Sequence, residues 1–172
     1  TLSALNDYGR SLNLARNVEE IYRLTLDAME KTLGFEFATI FIVEGKNLRL
    51  VAHRGYPKQF SVTLPMDGKK GVSVKAATTG RSLFIADIRK EKSYVPGRPG
   101  MRSELAVPMK ARAVLGVLNV ESERLAAFNR NDRELFEILA SHAATAFSNL
   151  RRQDQLREFS RRLAFLMKNV TE

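Results

Sequence analysis

Residues 101–132 read MRSELAVPMKARAVLGVLNVESERLAAFNRND, and the pattern of this stretch decides the architecture. Apolar and polar side chains alternate over about 102–110 and again over about 114–121. This predicts two strands joined by a tight turn near Ala111 and Arg112, then a loop and the start of a long helix. A connection of even length sets Glu104 opposite Asn119 and Arg102 opposite Glu121, so these four side chains share one face. Leu105, Val107, Met109, Val114, Leu118 and Val120 take the other. The hairpin is thus predicted to have an apolar back and a polar cluster on its front, a rigid platform for a small-ligand site. An odd connection would scramble the cluster, because a one-residue slip sends a strand's whole set of side chains to the opposite face.

Composition narrows what surrounds the hairpin. The 172 residues suit one domain with extensions, and 44% hydrophobic with 27% charged residues fits a soluble globular protein. No apolar run approaches the roughly 20 residues of a membrane helix, and the N-terminus lacks a signal-peptide core; a cytoplasmic address is expected. Cysteine is absent, which excludes disulfides, thiol catalysis and thiolate metal sites. The formal net charge of +9 raises nucleic acid as a partner. Yet the basic groups, Lys69 to Arg102 and Arg151 to Lys168, carry no interleaved aromatics, and no helix-turn-helix pattern is present. A solvated basic surface is favoured over direct nucleic-acid binding, with phosphate-bearing small ligands left open.

Around the hairpin, residues 1–14 have near-helical apolar spacing. A helix over 18–33 follows, with Asn17 and Glu20 as a capping box and Gly34 as its stop. FEFATIFIV (35–43) is apolar on both faces and predicts a central strand, with LRLVAHR (48–54) its partner. A short strand over 60–64, a short helix over 71–79 closed by Gly80, and a strand over 82–86 come next. IRKEKSYVPGRPG (88–100) must be a loop, of a length that suggests a lid or binding segment. After the hairpin, Asn129 or Asn131 caps a helix with an apolar face from Leu135 to Leu150. The polar run 151–155 interrupts it. Leu156, Phe159, Leu163 and Leu166 then resume at 3-4 spacing, a stripe that calls for a partner helix from a second subunit or from residues 1–14. The chain ends on this helix, as a fragment of a larger protein would.

This element order resembles the GAF domain, and so do particular motifs. They are ATIFIV with LRLVAHRGY, GVSVKAATTGRSLFIAD (71–87), RSELAVPM (102–109), LGVLNVES (115–122) and F-x-x-x-D (128–132), together spanning about residues 18–150. The resemblance implies an α+β fold, an α/β/α sandwich akin to PAS folds. Its central antiparallel sheet of five to six strands has the N- and C-terminal helices on one face and short helices and loops over a ligand pocket on the other. The division expected is an N-terminal helix (1–16), the GAF domain (17–150) and a helical extension (151–172) leading to an effector domain in the same full-length chain. The fold hosts many unrelated ligands. Cyclic-nucleotide-binding members carry Asn-Lys, Phe, then Asp-Glu. Here Phe128 and Asp132 match, but Glu121-Ser122 and Arg133 stand where the remaining residues should be, which counts against that ligand. The free methionine-R-sulfoxide reductases of the family carry substrate-binding acids at positions matching Glu104, Asn119 and Glu121, but their chemistry needs cysteines. Bilin attachment within this segment needs one too. Haem needs an axial histidine, and His53 and His142 are read as surface or packed residues.

The candidate ligand-binding residues are therefore Glu104, Asn119, Glu121, Arg102, Asp87 and Tyr94. Glu104 either accepts hydrogen bonds from a ligand amine or hydroxyl, or forms a salt bridge with Arg102. Asn119 and Glu121 can touch one ligand together, unless Glu121 caps the following loop. Asp87 more naturally organises the 88–100 loop through its backbone amides. Tyr94 either covers a ligand or anchors that loop. No catalytic triad, metal-ligand spacing or phosphate-binding glycine loop is visible. The expected function is a non-catalytic, small-molecule-sensing regulatory domain of a signalling or transcription-regulatory protein. It would dimerise through Leu5, Leu12, Leu156, Phe159, Leu163 and Leu166, and no cofactor can be named. The alternatives are a dimerisation module with a vestigial pocket and, behind it, a cyclic-nucleotide-binding domain.

Overall fold

The computed structural model describes residues 1–170. Its β-branched and aromatic runs form one six-stranded antiparallel sheet of order β3-β2-β1-β6-β5-β4. The strands are β1 (Phe37–Glu44), β2 (Asn47–Arg54), β3 (Thr63–Pro65), β4 (Leu83–Ile85), β5 (Ser103–Lys110) and β6 (Val114–Ser122). β1 lies between β2 and β6, and its first six residues are buried, as an apolar run on both faces requires. The α+β sandwich read from the sequence is the fold observed.

The hairpin keeps its polar front by a route the sequence did not reveal. Glu104 pairs with Glu121, and Ala106 with Asn119, two residues away from the expected pairing of Glu104 with Asn119. A shift of two preserves the face. The connection has three residues, 111–113, because Lys110 pairs with Val114. That odd number alone would have scrambled the cluster. A register shift between Met109 and Lys110 adds the compensating step. Glu104, Asn119 and Glu121 thus share the front, while Leu105, Val107, Met109, Leu118 and Val120 lie in the core behind. Val114 is the exception. It lies beyond the irregularity and packs with the apolar cluster of the front. Gly116 lets β6 and β1 close together, since a Cβ there would collide with the Phe41 carbonyl and come within 2.7 Å of the Met109 methyl.

Three helices cover the back: α1 (Leu2–Asn13), α2 (Val18–Asp27) and α4 (Arg130–Val170). Asn17 Oδ1 accepts from the Glu20 amide at 2.9 Å to start α2, although Glu20 returns its bond to the Arg16 amide rather than to Asn17. The last turn, Ala28–Thr32, widens to π geometry before Gly34 turns left-handed (φ 74°), so the 18–33 helix is present with one irregular turn. α4 opens with a reciprocal cap: Asn129 Oδ1 accepts from the Asp132 amide at 2.8 Å, and Asp132 returns a bond to the Asn129 amide at 2.9 Å. Phe136, Leu139, Ala143, Phe147 and Leu150 bury its inner face against the sheet.

The polar run at 151–155 interrupts the apolar face but not the helix: α4 is 41 residues long in all, because arginine and glutamine are good helix formers. One expectation about the helices is corrected. Leu5 and Leu12, expected at a dimer interface, are 0% and 3% exposed. Both are buried in the chain's own core against α2 and α4, because Gly9 lets α1 settle onto the His142 ring. Leu156, Phe159, Leu163 and Leu166 stand free of the body at 62%, 61%, 44% and 58% exposure. The last two positions of the expected 151–172 extension lie outside the described residues. No helix of the described residues is long and apolar enough to cross a membrane.

Candidate functional site

The front of the sheet carries a small hollow with a cavity volume of about 50 Å³. β1 supplies Thr39 and Phe41 to its floor, β5 Glu104, and β6 Asn119 and Glu121. α3 (Val72–Thr79) supplies Val72 and Ser73 from one side. The β2–β3 connection brings Tyr56 and Phe60, stacked 4.7 Å apart, as an aromatic wall. Val95, Pro96 and Gly97 of the 88–100 loop form the cover.

Glu104 and Asn119 lie at the polar end of this floor, 4% and 7% exposed. Asn119 Nδ2 donates to Glu104 Oε1 at 2.5 Å and to Ser73 Oγ at 2.9 Å. The second carboxyl oxygen of Glu104, Oε2, and the amide oxygen of Asn119, Oδ1, are buried and find no hydrogen-bond partner among the described residues. Leaving a buried acceptor unpaired costs about 1–3 kcal/mol, more for a charged group. Burial first, and then the neighbouring Glu121 charge, push the Glu104 carboxyl up to about 8. Burial also raises Glu121, but two phenol donors oppose it: Tyr56, and Tyr94 at 2.9 Å. Both phenols are themselves raised, by burial and then by the Glu121 charge they face.

Three of the six predicted site residues, Glu104, Asn119 and Glu121, thus meet in one hollow. Glu104 accepts from Asn119 instead of pairing with Arg102, and Glu121 holds two tyrosines instead of capping a loop. Tyr94 anchors the covering loop from behind through Glu121. Asp87 lies outside the lining. It accepts from the Arg89 amide at 3.1 Å and grips the Arg89 guanidinium through both oxygens, which holds it well below the usual carboxylate range, at about 2. Arg102 is also outside, and its backbone amide donates to the Ser122 carbonyl at 2.7 Å. The loop is fastened further by Gly71 N–H donating to the Ser93 carbonyl at 2.5 Å, Lys75 to Glu91 at 2.9 Å, and Arg98 to the Gly55 carbonyl at 2.8 Å.

The sequence reading missed Tyr56, Phe60 and Ser73. Tyr56 follows Gly55, whose positive φ (86°) reverses the chain, and a tyrosine beside such a glycine is well placed to swing back over the sheet. The two histidines are packed residues. His53 meets the rings of Tyr56 and Phe60, and His142 lies edge-on to Tyr8. Among the described residues, no group of three or more His, Asp or Glu side chains is placed to hold a metal ion.

Comparison with known proteins gives matches of three kinds. The family described as GAF domain matches over residues 15–148. A probable 3′,5′-cyclic phosphodiesterase of Caenorhabditis elegans is 25% identical, over 73% of this chain but only 20% of its own length. The GAF domain of a phosphoenolpyruvate-protein phosphotransferase from Coxiella burnetii superposes with a TM-score of 0.78 at 19% identity, covering 90% of this chain and 96% of that one. A free methionine-R-sulfoxide reductase from Neisseria meningitidis, solved with its substrate, gives 0.77 at 20% identity, over 87% and 89%. At such identities the likeness is one of fold.

Proposed function

The chain belongs to the GAF domain family, and on that premise we propose that it is a non-catalytic sensory domain whose hollow binds a small molecule with hydrogen-bond donors and reports occupancy through its terminal helices. The observation that carries the reading is the pair of buried acceptors without partners, Glu104 Oε2 and Asn119 Oδ1, on the floor of a covered hollow. A ligand amine or hydroxyl would satisfy both, and the Tyr56–Phe60 wall would cover its apolar part. A side-chain-filled front would favour the vestigial-pocket alternative. The two unpaired acceptors favour an occupied one.

The chemistry of the floor disfavours a cyclic nucleotide, although the nematode relative is named for hydrolysing one. Glu104 and Glu121 face the space, and none of its lining residues is basic, so a phosphate would meet negative charge. Thiol-based sulfoxide reduction is unavailable to a chain without cysteine. The exposed stripe from Leu156 to Leu166 supports a homodimer through α4, and that helix would carry the signal toward an effector domain.

The test is a titration against a library of small amines, amino acids and polyols, with spin labels at position 156 reading helix spacing. Saturable binding that depends on Glu104 and shifts the label distance is the expected result. Saturable binding with unchanged spacing removes the switch but keeps the pocket, because a ligand must bind two helix arrangements differently to move them.

A further inference from the structure

We propose that the front hollow takes up a small organic cation in one-for-one exchange for a proton on Glu104. The inference rests on the ligand-binding reading above and adds the charge of the ligand and the condition under which it binds.

The geometry sets the requirement. Glu104 and Glu121 are a cross-strand pair on one face, both buried, in a hollow without a basic lining residue. Glu121 is fixed as the anion by two phenol donors. Glu104 receives one amide donor on Oε1 and nothing on Oε2, so a second carboxylate there would be a like charge with half its acceptors bare. The groups facing Glu104 give it no relief. They are Glu121 from β6, Tyr56 from the β2–β3 connection, and Glu91 and Tyr94 from the covering loop. α3 presents only the Ser73 hydroxyl through Asn119, and its Lys75 is engaged by Glu91. A proton neutralises Glu104 in the empty hollow, consistent with a carboxyl raised to about 8.

An entering ammonium or guanidinium supplies that positive charge itself and donates to Glu104 Oε2 and Asn119 Oδ1. The O–H bond on Glu104 then breaks and its proton passes to solvent. One positive charge enters and one leaves, so the net charge of the hollow stays at that of Glu121 alone. A neutral ligand of the same shape offers no replacement for the proton and leaves it in place.

Methylguanidinium is a suitable probe, because its own charge does not titrate near neutrality. Calorimetry at pH 7 in buffers of differing ionisation enthalpy is expected to report release of about 0.9 proton per cation bound. Affinity should rise about tenfold per pH unit up to about pH 7.5 and level off above about 8. Glu104→Gln should abolish both the release and the slope, and N-methylurea, the neutral counterpart, should not compete. The buffer and pH series need only the native protein, so they stand even if the variant does not fold. Methylguanidinium bound without proton release, or N-methylurea bound equally well, overturns the exchange and leaves the pocket. A library ligand that saturates the hollow while methylguanidinium does not bind has the same meaning. If no probe and no library compound binds, the pocket reading falls with the exchange.

Discussion

At the scale of single residues, Glu104 is the most consequential side chain. Its carboxyl is raised in the folded state, to about 8, above the ordinary glutamate value near 4.5. The sign follows: between these values the native state holds a proton that the unfolded chain has lost, so stability is full below about 4.5 and falls as pH rises toward 8. The slope reaches at most about 1.4 kcal/mol per pH unit. Glu104→Gln keeps the shape without the charge, and chemical denaturation from pH 5 to 8 is expected to show that slope flattened in the variant. Gly116 makes a separate point about backbone approach. Gly116→Ala drives a methyl group into the Phe41 carbonyl and the Met109 side chain, and equilibrium unfolding should show a loss of about 2–4 kcal/mol. Neither effect is visible in a linear reading, which places Glu104 in a polar cluster without showing how deeply it is buried and leaves Gly116 an unremarked strand glycine.

At the scale of elements, the sequence announced most of the secondary structure and misjudged how its pieces join. Alternation in 102–121 was enough to put Glu104, Asn119 and Glu121 on one face, yet the pairing was displaced by two and depended on an irregularity at Met109 and Lys110. Local pattern cannot show such a step, because both strands look the same with or without it. Asp87 and Arg102 neighbour the site in sequence, but each takes a local backbone or side-chain partner outside the lining. Tyr56 reaches the site through a chain reversal that periodicity does not encode. The covering loop hangs on a few discrete bonds, of which the Tyr94 phenol on Glu121 is the innermost. Tyr94→Phe removes about 1 kcal/mol of local holding, and hydrogen exchange at amides 92–97 should quicken about fivefold while exchange in β5 and β6 stays unchanged. In α4, Leu163→Lys places a charge at the middle of the exposed stripe. Sedimentation is expected to show dimer in the parent and monomer in the variant, with thermal stability of the body held, since residue 163 touches none of the core.

At the scale of the whole molecule, the two largest apolar clusters lie on opposite faces of the sheet. The larger unites α1, α2 and α4 with the back, and the smaller joins α3 to the front. The floor of the hollow and the bed of α4 are therefore opposite sides of the same two strands, β5 and β6, where alternate residues point either way. A ligand contacting Glu104 and Asn119, as proposed, would lie one residue removed from Leu105 and Leu118, which pack in the cluster that holds α4. Because α4 runs unbroken from that bed to Val170, its outer 20 residues form a stiff lever about 30 Å long. A rocking of about 5° at the sheet, too small to disturb the packing there, would sweep the far tip through about 2.6 Å, close to half the axial advance of one helical turn.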